Sequence, residues 1–535
     1  MRNIQKLSLW SSACLLLLYT ACKKDNYTGK DPYANAKEPL NIKIDKSAAA
    51  PASGAIGATV TINGSGFLKY KDSGMVIKFN DVPGQITAVT ASSITATVPD
   101  NASTGIISLT VQRQLFAGPN FRVIGPVSID PNFHAVPGAS DNVINTITFV
   151  PGGKYLVGGS FTDYDNSGAR NGYRSLARIN ADGTVDRDFK VGKGISGTVN
   201  SMVVQASGKY IIAGDFNNYN ERFKSGYVSN IVRLNPNGMY DSTVIVTPLG
   251  NHDTIPALNV YLDGAITKVL QTPDSGKLVL IGGFKYFMRR NYAGITADGK
   301  RDSILVDSIR MEGIMRLNED GSFDSTFNFD AGRRRSYEGP NGYISTAMIQ
   351  ADGKIMLAGS FSRFHGQLTG SVARLNPDGE IDPGFNTGAG PDDKVTVVSP
   401  LKDGRYLVGG MFSKVNGKEA HRVAVLNPNG SLYDGFSVGT GPEAGPGGIP
   451  SSAIQLKNGK IFLGGVFETF SGVKRGGTVI LDEDGKMSKG YNSMGALNGL
   501  ILDMINIPNG NGAIMVGQFT QYDMLPLNRI MLLRY

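Results

Sequence analysis

Tryptophan occurs once in the 535-residue chain, at Trp10, cysteine twice, at Cys14 and Cys22, and histidine four times. Trp10 and Cys14 lie in a leader expected to be removed, so the mature chain would hold no tryptophan and no disulfide. Faces that bind glycans often rely on Trp platforms; here Tyr and Phe would have to substitute. The histidines (134, 252, 365, 421) are scattered, and no His-Glu-x-x-His, Gly-x-Ser-x-Gly or phosphate-loop pattern occurs, which removes the common hydrolase and nucleotide signatures. No helical apolar period is sustained over several turns. The excess of one charge sign is small too: a net +8 falls to +6 without Arg2 and Lys6, and there is no dense basic run, so nucleic acid is not expected as a partner. Arg333-Arg334-Arg335 is the one short cluster; it reads as a solvated loop, with local anion binding as the alternative.

What is present starts with MRNIQKLSLWSSACLLLLYTAC. Two cations precede an apolar run that is short of the ~20 residues a spanning helix needs, and small residues then lead to Cys22. Residues 1–21 therefore read as a signal peptide. The motif resembles a bacterial lipobox, although Tyr19 stands where Leu is usual; the resemblance implies a diacylated, palmitate-type anchor on Cys22, and a secretory peptide cut elsewhere is the alternative. Two or more acyl chains hold a protein stably at a membrane. Residues 22–38, polar and without period, read as a flexible tether. They resemble the segment after the cysteine in Bacteroidetes surface lipoproteins, which implies a cell-envelope, outer-membrane, surface-exposed location.

From 39 to 126 short alternating strands such as ATVTINGSGF and SSITATVP are split by Gly, Asn and Pro turns, the pattern of a small β-sandwich. Gly57 through Phe67 carries a Gly-rich signature similar to that of the immunoglobulin-like IPT/TIG family. That family implies a spacer or binding platform without a catalytic set, and Gly64 and Gly66 would bend the chain between strands.

A repeat organises everything after this: GKYLVGGSF ends at Phe161, and related strands end at Phe216, Phe284, Phe361, Phe412, Phe467 and Phe519. The glycine nearest each Phe (159, 214, 283, 359, 410, 465, 517) recurs at intervals of 51 to 76 residues, a spacing that suits propeller blades. Each unit adds an apolar strand before the marker, a strand ending in an Asn/Asp-Gly turn after it, and an Asp-x-x-Phe segment expected as a fourth strand (Asp186 to Phe189, Asp324 to Phe327, Asp382 to Phe385). The chain stops on a third strand, and a spare Asp130-Pro131-Asn132-Phe133 stands ahead of the first unit. Residues 128–133 are expected to pair with the last blade and close the ring, which leaves no open sheet edge. The predicted fold is all-β: an immunoglobulin-like sandwich followed by a seven-bladed β-propeller over 127–535. The runs DGKIMLAGSFSRFHG and SVARLNPDGEIDPGFN resemble the delta-60 repeat of bacterial secreted and surface proteins, which implies a fold more than an activity.

Three residues after each Phe comes a second aromatic in six of seven units: Tyr164, Tyr219, Phe287, Phe364, Phe470 and Tyr522, with Val415 as the exception. They are expected at one end of the propeller, where rings could stack on a sugar or a partner, but packing between blades is the preferred reading, because a residue repeated in every blade usually serves the repeat itself. The long inserts of units two and three carry Tyr286, Arg289, Arg290 and Tyr292 as candidate contacts, because insertions in a repeat map to one face, often the binding face. Asp163 and Asp165 begin a stretch like a calcium loop, but Arg174 occupies the place of the closing Glu. No cofactor is expected. A catalytic carboxylate pair would have to lie within about 10 Å, which spacing along the chain does not reveal. The expected role is that of a non-catalytic envelope binding protein, for a glycan or an envelope protein; a propeller-type glycan-active enzyme is the third alternative.

Overall fold

The computed structural model describes residues 39–166, 172–220, 228–443 and 447–535. The leader, Cys22 and the tether lie outside these residues. Strands dominate, and a single 3-10 turn at Leu68–Tyr70 is the one helical element among the described residues.

Residues 43–124 fold into a sandwich whose main strands are Thr59–Ser65, Val76–Phe79, Val82–Val89, Ser93–Thr97, Gly105–Val111 and Gln114–Ile124. Alternation does the packing: Ile94 and Ala96 point into a core with Val60, Ile62, Phe79, Leu109 and Phe121, while their neighbours stay half-exposed. Gly64 has a definite task, since a Cβ there would stand 2.1 Å from the Lys43 carbonyl oxygen and 2.4 Å from the Phe67 ring, and Gly66 takes φ +83°.

Seven antiparallel sheets follow among the described residues, six of them three-stranded, the first built from Ile144–Val150, Lys154–Gly159 and Leu176–Ile179 and the last around Leu497–Asn506, Gly512–Tyr522 and Ile530–Arg534. Each sheet's first strand packs on that of the next, and Leu497–Asn506 packs back on Ile144–Val150, so the sheets form a closed ring. Ser128–Ile129 pairs with Leu533 and Arg534, which adds an N-terminal strand to the C-terminal sheet.

A bulge recurs in every first strand. Register shifts leave Asn145, Asn200, Thr267, Ser345, Thr396, Ser451 and Leu502 unpaired within their own sheets. Most of these side chains bond to the neighbouring sheet instead. Asn145 Nδ2 donates to the Val199 carbonyl at 3.0 Å, Asn200 Nδ2 to Ile266 at 3.0 Å, Thr396 Oγ1 to Pro450 at 2.7 Å and Ser451 Oγ to Ile501 at 2.8 Å. The glycine opposite the bulge is fixed by the same geometry: a Cβ on Gly159 would lie 2.1 Å from the Val143 carbonyl oxygen, and one on Gly410 2.1 Å from that of Lys394. In the third sheet this role falls to Gly282 and not to Gly283, whose Cβ would meet nothing within 4 Å. The marker there shifts by one residue, because the spacing that counts is Gly-x-Phe and the intervening residue happens to be Gly.

The Asp-x-x-Phe segments are turns, not the strands expected from their pattern. Each fourth segment makes a single bridge to the third strand, such as Ile179 with Val185 or Leu375 with Ile381. The aspartate then accepts from the backbone two residues on, as Asp382 Oδ1 does from Gly384 N at 2.9 Å, which bends the chain away from the ladder. In four successive sheets that aspartate also takes a Lys from the start of the second strand or the residue just before it and an Arg from the third strand: Lys154–Asp186–Arg178, Lys209–Asp241–Arg233, Lys277–Asp324–Arg316 and Lys354–Asp382–Arg374, all with contacts at or below 3.0 Å. The Arg reaches into the next sheet, as Arg374 Nη1 does to the Pro428 carbonyl at 2.7 Å, and covers the Phe of its own turn, 4.8 Å from the Phe385 ring centre. One buried network thus ties a turn to its sheet and the sheet to its neighbour.

The sandwich is docked on the last two sheets. Thr104 N donates to the Ser493 carbonyl at 2.9 Å, Lys474 pairs with Asp81 at 3.0 Å, and Arg475, 3 % exposed, donates to the Asn101 carbonyl at 3.0 Å.

Candidate functional site

The six repeated aromatics do not form a ligand face. Tyr164, Tyr219, Phe287, Phe364, Phe470 and Tyr522 are 0 to 2 % exposed. In the fourth to seventh sheets the segment after the Phe folds back as a short hairpin, as Arg363–Phe364 pairs with Gln367–Leu368, and this turns the ring inward. Tyr164 OH donates to the Gly183 carbonyl at 3.1 Å and Tyr219 OH to that of Gly238, so each ring spans from one loop to another. Burial raises the pKa of both hydroxyls. These rings are core, and Val415, also fully buried, fills the same place without one.

The central opening of the ring, about 680 Å³, is lined chiefly by the bulged Asn, Thr and Ser residues and their neighbours. Lys268 and Asp503 are the charged residues on its wall. Asp503 Oδ2 accepts from Thr146 Oγ1 and from the Ile147 amide, both at 3.0 Å, a contact that joins the last sheet to the first. A single carboxylate with that commitment does not make an acid–base pair. The same holds at the loop end of the blades, where Asp141 and Asp392 accept from Thr162 and from Ser413 and Lys414, and these hydrogen bonds hold both carboxyls below the usual range against the opposing effect of burial. Asp163 and Asp165, the calcium candidates, accept from the Tyr164 and Val185 amides, and no three acidic, His or Cys residues converge closely enough to hold a metal ion among the described residues.

The inserts build a surface that the repeat does not explain. The first forms the hairpin Ser242–Val246 with His252–Pro256; the second pairs Tyr286–Ile295 with Asp302–Arg310 in a five-stranded sheet completed by Tyr261–Leu262, Arg335–Ser336 and Phe329–Asp330. Asp302 clamps them together: it accepts from Thr247 Oγ1 at 2.7 Å, Asn251 Nδ2 at 2.9 Å and the Leu249 amide at 3.1 Å, and these bonds lower its pKa. Between them lies a groove of about 680 Å³. Arg289, Arg290 and Tyr292 line it, as does Asp307, with Ile245 and Val246 on the other wall. Asn259 Nδ2 donates to the Arg290 carbonyl at 2.6 Å, and the Arg290 guanidinium lies 5.4 Å from the Tyr261 ring centre, so the wall is braced from behind. Tyr286, the fourth candidate, stands outside the groove and is 43 % exposed. Asp302, Asp307, Asn259 and Tyr261 were not legible as site residues. Their only signal was that units two and three exceed the blade period, which locates an insert without showing which of its residues converge.

This architecture, a sandwich docked on a closed ring of β-meanders, defines a propeller protein with an immunoglobulin-like module. Residues 47–123 match the IPT/TIG domain, and residues 151–189, 205–243, 313–327, 350–385 and 401–433 match the family described as a domain of unknown function (DUF5122) beta-propeller. The chain carries an IPT/TIG domain followed by a DUF5122 β-propeller. No curated protein matches it significantly. Among solved structures it is similar to a Bacteroides thetaiotaomicron protein of unknown function, at 14% identity and a TM-score of 0.28, over 86% of this chain and 98% of the other. An auxiliary nutrient binding protein from Bacteroides ovatus matches at 12% identity and a TM-score of 0.31, over 94% and 99% of the two chains. Another, from Bacteroides thetaiotaomicron, matches at 11% and 0.32, over 80% and 96%.

Proposed function

We propose that the protein is a non-catalytic binding module of the cell envelope, anchored through lipid on Cys22 at the outer membrane and presenting its insert groove to a polysaccharide. The observation that carries this reading is the groove itself: two insertions with no role in closing the ring are clamped together by Asp302 around Arg289, Arg290, Tyr292 and Asp307. Supporting the non-catalytic part, every Asp and Glu with a resolved shift among the described residues is held below its usual pKa, the reverse of what a general acid at neutral pH needs. Affinity electrophoresis of the full chain in gels of soluble polysaccharides should show retardation that Arg289→Ala abolishes; free migration in every gel would sink the reading. Loss of membrane association in Cys22→Ser tests the anchor.

A second reading, a scaffold for a protein partner, is favoured by the exposed aliphatic residues on the insert edges: Val244, Val246, Ile304, Leu305 and Val306 are 44 to 65 % exposed. A stoichiometric partner recovered from envelope extract, and lost on Leu305→Ser, would favour it over the first.

A further inference from the structure

A second cavity, of about 820 Å³, lies where the insert sheet meets the fourth propeller sheet. Arg310 and Glu312 come from the end of the Asp302–Arg310 strand, and Asp330, Arg333, Arg335 and Ser336 from the short hairpin beside it. The run Tyr337 to Pro340 forms the floor, and His365 and Glu380 enter from the fourth sheet. Three guanidinium groups thus stand among four carboxylates, those of residues 312, 330, 338 and 380, with Arg310 paired to Glu312 at 3.1 Å and Arg333 to Asp330 at 3.7 Å. His365 adds no charge at neutral pH: burial lowers its pKa, with Nε2 2.7 Å from Asn328 Oδ1 and Nδ1 3.5 Å from Glu380 Oε2.

A compact anion here would meet four carboxylates, and a compact cation three guanidiniums. A neutral ligand carrying many hydroxyls meets donors and acceptors in alternation, which is what this wall supplies. Two further observations agree. The Tyr337 ring is 43 % exposed and set edge-on to His365 at 5.9 Å, a platform for the C–H face of a sugar ring. Ser336, on the cavity wall, is 4 % exposed and its Oγ has no hydrogen-bond partner among the described residues; the same is true of Asn328 Nδ2, behind His365. Tyr337 and Pro340 are the cavity's nonpolar surfaces, so it lacks the aliphatic pocket a peptide anchor would fill.

We propose that this cavity is a subsite for a neutral saccharide, with Tyr337 as its platform and Arg335 and Glu338 as hydroxyl partners. The inference rests on the polysaccharide reading above and deepens it. One strand contributes to both sites: Asp307 lines the groove and Arg310 the cavity, three residues or about 10 Å apart along the strand and on opposite faces of the sheet, so the cavity is a second, separate subsite.

The test is affinity electrophoresis of the full chain in gels of dextran, xylan, galactomannan and, as the acidic control, polygalacturonate. Retardation is expected in at least one neutral gel, altered less than twofold between 0.1 and 1 M NaCl, weakened at least tenfold by Tyr337→Ala and threefold by Arg335→Ala, and kept within threefold by Tyr337→Phe, which retains the platform and controls for misfolding. Retardation confined to polygalacturonate and abolished by salt would mean an anion site and overturn the proposal. Retardation unchanged in Tyr337→Ala but lost in Arg289→Ala would overturn it while leaving the groove reading intact. A protein partner lost on Tyr337→Ala, with no neutral gel retarding the chain, would overturn it in favour of a peptide; free migration in all gels would remove both readings.

Discussion

Asp382 offers the sharpest test of how the ring is held. Its carboxylate accepts from Arg374 Nε at 2.6 Å, Lys354 Nζ at 2.9 Å and the Gly384 amide at 2.9 Å, and the residue is 4 % exposed. In Asp382→Ala the lysine, 29 % exposed, can turn to solvent and contributes little, whereas Arg374, 9 % exposed, stays buried as a cation held only by the Pro428 carbonyl and the Phe385 ring. Removing one partner of a buried pair in this way costs about 3–5 kcal/mol. Arg374→Met removes the buried charge itself and leaves Asp382 with Lys354 and Gly384, so it should cost roughly 1–3 kcal/mol, and the double variant should be less destabilised than the sum of the two. Since a repeat array can open locally, hydrogen exchange is the appropriate assay: protection of Ile355–Ser360 and Val423–Leu426 should fall by about two to three and a half decades in Asp382→Ala. Protection within threefold of the parent, or strict additivity, would refute the network as a load shared between sheets. The pH dependence follows in sign. The hydrogen bonds from Lys354 and the Gly384 amide, joined by Arg374, outweigh burial and hold Asp382 below its usual pKa, and Asp186 and Asp324 are lowered likewise by their Lys and Arg partners. Their contribution is therefore complete above the unfolded carboxylate value of about 3.9 and is lost as pH falls through the depressed folded values.

Tyr164→Phe should cost about 1 kcal/mol by stranding the Gly183 carbonyl, and Tyr164→Ala about 3–5 kcal/mol, with polysaccharide retardation unchanged in the phenylalanine variant; a loss of binding there would return the ring to the ligand face. Gly410→Ala should destabilise by roughly 1–3 kcal/mol, because its Cβ would sit 2.1 Å from the Lys394 carbonyl oxygen, while Gly283→Ala should stay within about 0.5 kcal/mol; equal melting shifts for the two would contradict the bulge account. Asp302→Ala releases the hairpin from Thr247, Leu249 and Asn251, so retardation by the groove's ligand should weaken while the melting of the propeller holds. Arg475→Ala removes the donor that holds the Asn101 carbonyl and should speed proteolysis between 124 and 128, as read by fragment mass.

The repeat was legible because its determinants are local and recur. A Gly-x-Phe strand, an Asn/Asp-Gly turn and an alternating apolar strand each specify a conformation within a few residues, and the stray copy at Asp130 to Phe133 identified the segment that joins the last sheet, where Asp130 meets Arg534 at 2.8 Å. The docking of the sandwich was not legible, since the contacts that make it join residues almost four hundred positions apart, such as Thr104 with Ser493. Nor was the direction of the repeated aromatics. Leaving a strand, Phe364 could point to either side, and it is the return of Gln367–Leu368 that commits it inward. The Lys–Asp–Arg network was present in the pattern as separate letters of three different segments, two around strands and one in a turn, and only the stacking of one sheet on the next makes the arginine reach the neighbour's carbonyl. By itself, then, the sequence determined the unit, its glycines and the all-β class, because these are set by short-range sterics and hydrogen bonding. The tertiary structure decided which side chains meet solvent and which residues of the inserts converge on one groove, because convergence of residues from distant segments depends on how whole sheets pack.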